Sequence, residues 1–356
     1  MRFIGSKERL LPAIGKILSP KKVPLGSVVG DLFCGTGSVS AFLKHKGYRV
    51  LANDNLFFCT VLAWAKLIIS QEPTFTGLDM SKYAGGSVRG KLFYSMYEKV
   101  LDYLNDLPLT MGFMYNNYSL EGTKNGPYER CYFTGDNAGR IDSIRGKIEE
   151  WSQAGVIYKD EKYLLLTDLL LAIAAVSNTA GTYGFFLKKL EPRAMKKLLL
   201  KPSMIVAGRT DHKIFNMDAN ALARELEMDL AYLDPPYNWR QYAAYYHILE
   251  TVTKYDKPEP IGKSGLRPWQ EYRSRYSNRI DAKEALAEIV QVIKAKAILL
   301  SYNMDGLITH DEIMGILNRV GDPEFESVRI PRYISSAANN YKNAVEERLY
   351  YVRKQK

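Results

Sequence analysis

Cysteine and histidine are scarce in this sequence of 356 residues, which contains three of the first and four of the second. The residues concerned are Cys34, Cys59, Cys131, His45, His212, His247 and His310. An odd number of widely spaced cysteines does not match a disulfide framework, and none of these residues has the spacing of a zinc site. We therefore expect a reducing compartment and no bound metal.

Long apolar runs are also absent. The most apolar stretch, residues 163–180, is interrupted by polar residues such as Asp168 and Asn178. It therefore falls short of the roughly 20 apolar residues that a membrane span requires, and it is predicted to be a buried helix instead. The first residues contain no apolar segment of the kind found in signal peptides. We expect a cytoplasmic protein without a membrane partner.

Positive charge is in excess. The chain has 49 lysines and arginines against 39 acidic residues, which gives a formal net charge of +10. Hydrophobic residues make up 46% of the chain and charged residues 25%, and this balance excludes collagen-like and disordered proteins. The excess of positive charge is typical of proteins that bind polyphosphates, although a merely basic cytosolic protein would also have it.

Strands and helices are predicted to alternate in the first and last parts of the chain, as in an α/β fold with a parallel sheet. Strands are predicted at 28–33, 48–52, 213–216, 230–233, 297–301, 324–330 and 348–352. Between 71 and 160, glycine, tyrosine and asparagine are frequent and no helical or strand period is sustained. The sequence therefore predicts a core in two halves, 1–70 and 161–356, with a loop-rich inserted domain at 71–160.

Two sequence features at consecutive strand ends predict a nucleotide-like cofactor. The first strand leads into Asp31-Leu32-Phe33-Cys34-Gly35-Thr36-Gly37, in which the glycines allow close approach of a ligand to the backbone. Ser40 stands where a dinucleotide fingerprint would have its third glycine, which counts against NAD. After the second strand, Asp54 can accept hydrogen bonds from two ribose hydroxyls. The alternative is that Asp54 caps the following helix.

The segment Asp234-Pro235-Pro236-Tyr237 follows a predicted buried strand and is the most specific pattern in the sequence. The prolines restrict the backbone, so the Asp234 carboxylate and the Pro235 carbonyl can act as two adjacent acceptors. Two acceptors suit an exocyclic amino group, and the Tyr237 ring offers a face on which a base can stack. The alternative is a rigid turn with a buried tyrosine.

With these motifs the chain resembles the D12 class of DNA N6-adenine methyltransferases, the Dam-like group. The resemblance implies a Rossmann-like class I AdoMet-dependent methyltransferase core with an inserted target-recognition domain. It implies that S-adenosyl-L-methionine (AdoMet) is the cofactor and S-adenosyl-L-homocysteine the product. The implied cofactor-binding residues are Phe3, Lys7, Asp31, Phe33, Gly35, Gly37, Asp54, Asp218 and Asp234, and the implied catalytic residues are Asp234, Pro235 and Tyr237. For Lys7, a surface salt bridge is the alternative.

The resemblance also implies partners and a mechanism. We expect methyl transfer to N6 of an adenine flipped out of double-stranded DNA, by a monomer or weak dimer near the nucleoid of a bacterium or a phage-infected cell. A cognate restriction endonuclease that acts separately is a possible partner. Cytosine C5 methylation is excluded because its Pro-Cys dipeptide is missing. An RNA adenine methyltransferase and a catalytically silent DNA-binding module stay open as alternatives.

The DNA contacts are expected in three segments and at further residues of the inserted domain. Asn116 and Asn117, within Tyr115-Asn116-Asn117-Tyr118, are candidates for reading adenine edges. The basic residues between Lys188 and Lys201 are predicted to lie on a helix that follows phosphates or simply faces solvent. The stretch 267–279 interleaves arginine with aromatic residues and is predicted to hold a DNA strand. The candidate DNA-binding residues are Tyr115, Asn116, Asn117, Arg130, Asn137, Arg145, Arg273 and Arg275.

Overall fold

A computed structural model of the chain describes residues 5, 7–19, 22–79, 81, 95–331 and 344–355. The chain divides into two compact units. The first, here called the sheet unit, consists of Ile4–Ser70, Val206–Ala243 and Gln270–Lys356. The second, here called the helical unit, consists of Met1–Phe3, Gln71–Ile205 and Ala244–Trp269. The helical unit thus includes residues on both sides of the predicted insertion at 71–160.

The sheet unit contains a seven-stranded sheet in the order β3-β2-β1-β4-β5-β7-β6. The strands are β1 (Val28–Asp31), β2 (Arg49–Asn53), β3 (Lys213–Phe215), β4 (Glu227–Leu233), β5 (Lys294–Asn303), β6 (Pro323–Pro331) and β7 (Ala344–Arg353). Neighbours among β1 to β5 are parallel, whereas β7 runs antiparallel to both β5 and β6. This arrangement confirms the predicted α/β core with its Rossmann-like parallel sheet.

The sheet is buried on both faces, which explains why the sequences of its strands are runs of apolar residues. Successive residues of a strand point to opposite faces, so Leu299 packs into one core cluster and Ile298 and Leu300 into the other. Helices α1 (Leu11–Ile17), α2 (Ser38–His45) and α3 (Phe57–Leu67) cover the first face. Helices α9 (Ala219–Ala223), α12 (Arg279–Val292) and α13 (His310–Leu317) cover the second.

The helical unit is built mainly from two long helices that pack together. They are α7 (Gly135–Gln153) and α8 (Lys159–Val176). Shorter helices complete the unit: α4 (Met96–Asn105), α5 (Phe113–Tyr118), α6 (Leu120–Thr123) and α11 (His247–Lys254). Helix α10 (Tyr242–Tyr245) spans the boundary between the units. Helix α8 confirms the buried helix predicted within 163–180, and no helix among the described residues is long and apolar enough to cross a membrane.

The prediction that 71–160 is loop-rich is wrong for much of its described part, in which helices α4 to α7 lie. Helix α7 lacks a clear amphipathic period because polar residues are buried along it. Asn137 donates to the carbonyls of Ala194 and Lys196 at 3.0 and 2.9 Å and accepts from the Leu198 amide at 2.8 Å. Tertiary hydrogen bonds of this kind are invisible to a test based on apolar spacing.

The prediction of a helix between Lys188 and Lys201 is also wrong, since this segment has turns and no helix or strand. Two asparagine side chains hold it: Asn137 as just described, and Asn105, which exchanges two hydrogen bonds with Leu200 at 3.1 and 2.7 Å. Five of its lysines are exposed, namely Lys188, Lys189, Lys196, Lys197 and Lys201. The segment therefore presents positive charge from a loop rather than from a helix face.

Candidate active site

The loop after β1 has the backbone geometry that its glycines predict. Gly35 and Gly37 have φ values of +51° and +71°, which favour glycine. A Cβ atom on Gly37 would lie 3.1 Å from the Cα atom of Ala63 in α3, so the loop approaches that helix closely. Helix α2 begins directly after Gly37. The loop therefore turns sharply at the carboxyl end of β1, where open α/β sheets bind nucleotides.

Asp31, the last residue of β1, is buried beneath this loop. One carboxylate oxygen, Oδ2, accepts a hydrogen bond from the Ser40 hydroxyl at 2.6 Å. The other, Oδ1, is buried and has no hydrogen-bond partner among the described residues. Burial raises the pKa of Asp31 to about 7, although the Ser40 hydrogen bond opposes the shift. Ser40, which breaks the dinucleotide fingerprint, is thus a partner of Asp31.

Asp54 lies one residue beyond β2, and both of its carboxylate oxygens accept backbone amides. Oδ2 accepts from Gly35 at 2.9 Å and Oδ1 from Leu56 at 2.9 Å. The N-cap residue of α3 is Leu56, without a side-chain cap, so Asp54 does not occupy the helix-cap position considered as its alternative. Asp54 instead links the end of β2 to the glycine loop after β1.

Asp218, Phe33 and Phe3 complete the set of predicted cofactor residues. Asp218 is exposed, follows β3 and caps α9 by accepting the Ala221 amide at 3.0 Å. The Phe33 ring meets the Tyr276 ring edge-on, with centroids 5.2 Å apart. Phe3 lies outside the described residues.

Asp234 follows β4 directly, and its surroundings are charged. The Lys7 ammonium lies 3.1 Å from its Oδ1 atom. Burial raises the pKa of Asp234 to about 7, since the lowering by Lys7 only partly offsets it. The Tyr237 ring lies 5.3 Å from the same ammonium, and the Tyr237 carbonyl accepts the Leu307 amide at 2.9 Å. The segment 234–237 thus places a carboxylate and an aromatic face beside one buried lysine.

Lys7 is buried, which rules out a surface salt bridge. Besides Asp234 it contacts Glu347 on β7. Burial alone lowers the pKa of Lys7, but the charges of Asp234 and Glu347 outweigh it, so the pKa lies above its ordinary value and the amine is protonated. Sequence reasoning missed Glu347. Glu347 lies two residues before the buried Leu349 and therefore points to the same face of β7. Nothing in the sequence, however, links it to a residue 340 positions earlier.

Three predicted DNA-binding residues lie in the interior of the helical unit. Asn137 holds the 194–198 segment, as described above. The Arg130 guanidinium donates to the carbonyls of Asn117, Gly262 and Lys263, and that of Arg145 donates to the Val252 carbonyl at 2.7 Å. These side chains are used to hold the fold of the unit, so we leave Arg130, Asn137 and Arg145 out of the proposed DNA contacts.

The other predicted contact residues are more accessible. Asn116 is exposed and Asn117 half-buried, and their amide groups donate to the carbonyls of Met111 and Phe113. Tyr115 is half-buried in the same short helix. In the sheet unit, Arg273 is exposed, whereas Arg275 is paired with Glu288 at 2.6 Å.

Trp239 is a further accessible side chain that sequence reasoning missed. It lies two residues after Tyr237 and is 64% exposed. The backbone beyond it is fixed, because the Ser277 hydroxyl donates to the Arg240 carbonyl at 3.0 Å and Gln241 exchanges two hydrogen bonds with Ser274 at 3.1 and 2.8 Å. No group of three or more metal-ligating side chains occurs in the part of the chain that the structure describes.

Comparison with known proteins identifies the family of this chain. The family model of the D12 class N6 adenine-specific DNA methyltransferases matches residues 3–315, which include the glycine loop, Asp54 and the 234–237 segment. The chain belongs to this family. The match confirms the resemblance and the methyltransferase fold inferred from the motifs.

Several modification methylases are similar along nearly the whole chain. The type II methyltransferase M.FokI of Planomicrobium okeanokoites is 37% identical over 99% of this chain, and the modification methylase LlaI of Lactococcus lactis subsp. lactis is 36% identical over 96%. This chain spans only about half the length of those two proteins, 53% and 52%. The type II methyltransferase M.NlaIII of Neisseria lactamica is 32% identical and is covered over 98% of its length.

Proposed function

We propose that this chain transfers a methyl group from AdoMet to N6 of an adenine flipped out of double-stranded DNA, as a modification enzyme. The observation that carries the proposal is the partly buried Asp234 carboxylate at the end of β4, beside Lys7 and Tyr237. The family assignment and the similarity to restriction-modification methylases support it.

The residues around the glycine loop fit AdoMet. Gly35 and Gly37 allow the sharp turn at the end of β1, and Asp54 places a carboxylate at the next strand end. The Oδ1 atom of Asp31 is a buried acceptor without a partner among the described residues, which suits a site that a ligand completes. Asp218 and Phe33 are further candidates for contacts with the adenosine part. When bound, AdoMet supplies a methyl group on a positively charged sulfonium.

Asp234 and Pro235 would accept hydrogen bonds from the adenine amino group. The lone pair of that nitrogen is delocalised into the ring, so it is a weak nucleophile. Hydrogen bonds from the amino group to the Asp234 carboxylate and the Pro235 carbonyl localise the lone pair and orient it for in-line attack. The N–CH3 bond would form as the S–CH3 bond of the sulfonium breaks and S-adenosyl-L-homocysteine leaves. The amino nitrogen must then lose a proton, and a carboxylate with a pKa near 7 can accept it. No covalent bond to the protein is needed.

Tyr237 and the exposed residues would hold the DNA. A base inside a duplex is out of reach, so the adenine must leave the stack, and the Tyr237 ring offers it a stacking face. The exposed lysines of 188–201 and Arg273 supply positive charge for phosphates. Asn116 and Asn117 remain the proposed readers of base edges.

The proposal also covers the location of the enzyme, its oligomeric state and its partner protein. We place the enzyme in the cytoplasm, near the nucleoid of a bacterium or a phage-infected cell, as a monomer or weak dimer. A cognate endonuclease would act as a separate protein. None of these three assignments affects the chemistry at Asp234.

The test is methylation by the purified protein, with AdoMet carrying a labelled methyl group and DNA or RNA as acceptor, followed by long-read sequencing of the modified DNA. We expect N6-methyladenine in one sequence context. Asp234→Ala should lower the rate by about 10²-fold or more, because a transition-state acceptor is lost. Asp322→Ala, which removes an exposed carboxylate, is the matched control and should not alter the rate.

Other outcomes would contradict the proposal. Methylation of cytosine, or of RNA but not DNA, would assign a different substrate. Binding of DNA and AdoMet by the wild-type protein without any transfer would favour a catalytically silent module. Near wild-type turnover of Asp234→Ala would refute the mechanism.

A further inference from the structure

Three charged side chains of the sheet unit, those of Lys7, Asp234 and Glu347, meet near the ends of β4 and β5. The side chains of Lys7 and Glu347 are 4% and 2% exposed, and that of Asp234 is 14% exposed. The Lys7 ammonium contacts both carboxylates. One ammonium thus stands between two carboxyl groups in a poorly hydrated environment.

Glu347 is held firmly in this position. Its Oε1 atom accepts from the Ser301 hydroxyl at 3.1 Å, and its Oε2 atom accepts from the Asn303 amide group at 3.1 Å. Asn303 is also directly opposite Glu347 in the antiparallel pairing of β5 with β7. The carboxylate is therefore fixed from the neighbouring strand, and it fixes Lys7 in turn.

The arrangement affects how strongly Asp234 can act as an acceptor. A buried ammonium that faced Asp234 alone would neutralise most of its negative charge, because charges interact strongly where water is excluded. Glu347 takes a share of that ammonium. Asp234 then keeps more of its negative charge available to another hydrogen-bond donor.

We propose that Glu347 is a positioning residue for methyl transfer: it holds Lys7 between two carboxylates and so keeps Asp234 a strong acceptor for the adenine amino group. This inference rests on the proposed function. The role differs from that of Asp234, because Glu347 acts through Lys7 rather than on the base.

The charges around Asp234 determine the sign of the expected pH effect. Burial raises the pKa of Asp234, Lys7 lowers it, and Glu347 and Asp31 raise it. The hydroxyl groups of Tyr232 and Tyr237 also interact with Asp234, but burial raises the pKa of both, so they stay neutral near pH 7. Loss of the Glu347 charge should therefore lower the pKa of Asp234. The acid limb of the rate profile, which requires ionised Asp234, should move to lower pH.

The experiment compares Glu347→Gln with the wild-type protein in two measurements. The first is kcat as a function of pH with saturating AdoMet and DNA. We expect kcat on the plateau to fall about tenfold, less than the roughly 10²-fold cost of losing a direct contact, and the acid limb to move to lower pH. The second is NMR titration of ¹³C-labelled aspartate carboxyls without cofactor, with the Asp234 signal assigned through Asp234→Asn. This signal should titrate at lower pH in Glu347→Gln.

Two further variants complete the design. Glu347→Asp keeps the charge but withdraws it from Lys7 by one methylene, so kcat and the acid limb should lie between those of the wild type and Glu347→Gln. Asp168→Asn is the matched control, because it also neutralises a buried carboxylate, one that Ser203 and Tyr97 hold in the helical unit. It should leave the acid limb and the Asp234 titration unchanged.

The outcomes distinguish a failure of the role of Glu347 from a failure of the proposed function. If Glu347→Gln only lowers the melting temperature, while the acid limb and the Asp234 titration stay at their wild-type positions, Glu347 is structural and the inference is wrong. If Glu347→Gln does not fold, an unmoved acid limb and unchanged kcat in Glu347→Asp contradict the inference equally well. If the wild-type protein does not methylate adenine, the proposed function itself fails.

Discussion

The backbone amide of Gly35 donates a hydrogen bond to the Oδ2 atom of Asp54 at 2.9 Å, and this bond joins the loop after β1 to the end of β2. The second oxygen of Asp54 accepts the Leu56 amide. One carboxylate thus shapes both of the strand ends at which we place the cofactor. Its role in the fold and its role in binding must therefore be separated by experiment.

Asp54→Ala should weaken the binding of both AdoMet and S-adenosyl-L-homocysteine, measured by calorimetry. We expect a loss of about 1.5 to 3 kcal/mol, because the ribose hydroxyls lose a charged acceptor. Asp54→Asn keeps one acceptor oxygen without the charge and should lose less. Equal affinities for wild type and Asp54→Ala, or binding of NAD instead of AdoMet, would contradict the assignment.

Replacement of Lys44 should have a large effect on stability. Its buried ammonium donates to the carbonyls of Lys66, Leu67 and Ile69, at 3.2, 2.8 and 3.2 Å, and so ends helix α3. Lys44→Met would leave these acceptors unsatisfied and should lower the free energy of unfolding by about 3 kcal/mol. The same change at the exposed Lys46 is the control and should cost less than about 0.5 kcal/mol. Equal denaturant midpoints for the two variants would refute this role of Lys44.

The stability of the helical unit should depend on pH because Asp168 is buried. Burial raises its pKa from the ordinary 3.8 to about 7, although the hydroxyls of Ser203 and Tyr97 bond to it. Between about pH 4 and pH 7 the folded chain therefore binds more protons at this site than the unfolded chain, so its contribution to stability falls as pH rises.

The measurement is the loss of melting temperature between pH 5 and pH 8. Asp168→Asn should show a smaller loss than the wild type, because the titrating group is gone. Asp322→Asn, which changes an exposed carboxylate, should keep the wild-type slope. A slope that Asp168→Asn leaves unaltered would mean that Asp168 does not titrate in this range.

The sequence was sufficient to predict the core and the local motifs. Strands such as β4 and β5 are buried on both faces, so their apolar runs are recognisable without any partner. The glycine loop and the 234–237 segment depend on backbone restrictions of adjacent residues, which a sequence displays directly.

The remaining features depend on partners that are distant in the chain. Lys7 and Glu347 are 340 residues apart, and neither residue type shows by itself that it will be buried. Helix α7 carries polar residues such as Asn137 that are satisfied by tertiary hydrogen bonds, so its pattern resembled a loop. Arg130 and Arg145 looked like DNA contacts for the same reason, since a sequence does not reveal that their donors are used by the unit's own carbonyls.

Base reading and phosphate binding should respond to different substitutions. Asn116→Ala or Asn117→Ala should relax the site preference at one position, at about 1 to 3 kcal/mol of discrimination, with little change in salt dependence. Arg273→Ala should weaken binding to all sequences alike and reduce the salt slope by about one counterion. Arg275→Ala should change the slope less, because Glu288 already pairs with that arginine. If the asparagine changes leave every site preference intact, the bases are read elsewhere.

Trp239 should contribute to holding DNA next to the catalytic loop. It is the exposed aromatic residue two positions after Tyr237, and the backbone that follows it is anchored to Ser274 and Ser277. An exposed indole on an anchored loop can stack on a base, and such stacking is worth about 1 to 3 kcal/mol. Trp239→Ala should therefore weaken binding to a target duplex by about this amount, whereas Trp239→Phe should retain part of it.

The assay is fluorescence of a duplex that carries 2-aminopurine at the target adenine, titrated with each variant in the presence of S-adenosyl-L-homocysteine. If the indole helps to keep the adenine out of the stack, Trp239→Ala should lower both the affinity and the fluorescence at saturation. Loss of affinity alone would assign Trp239 to the flanking strand. Phe325→Ala removes another exposed aromatic side chain of the sheet unit and should change neither quantity. A Trp239→Ala variant that matches this control would exclude Trp239 from the DNA-binding surface.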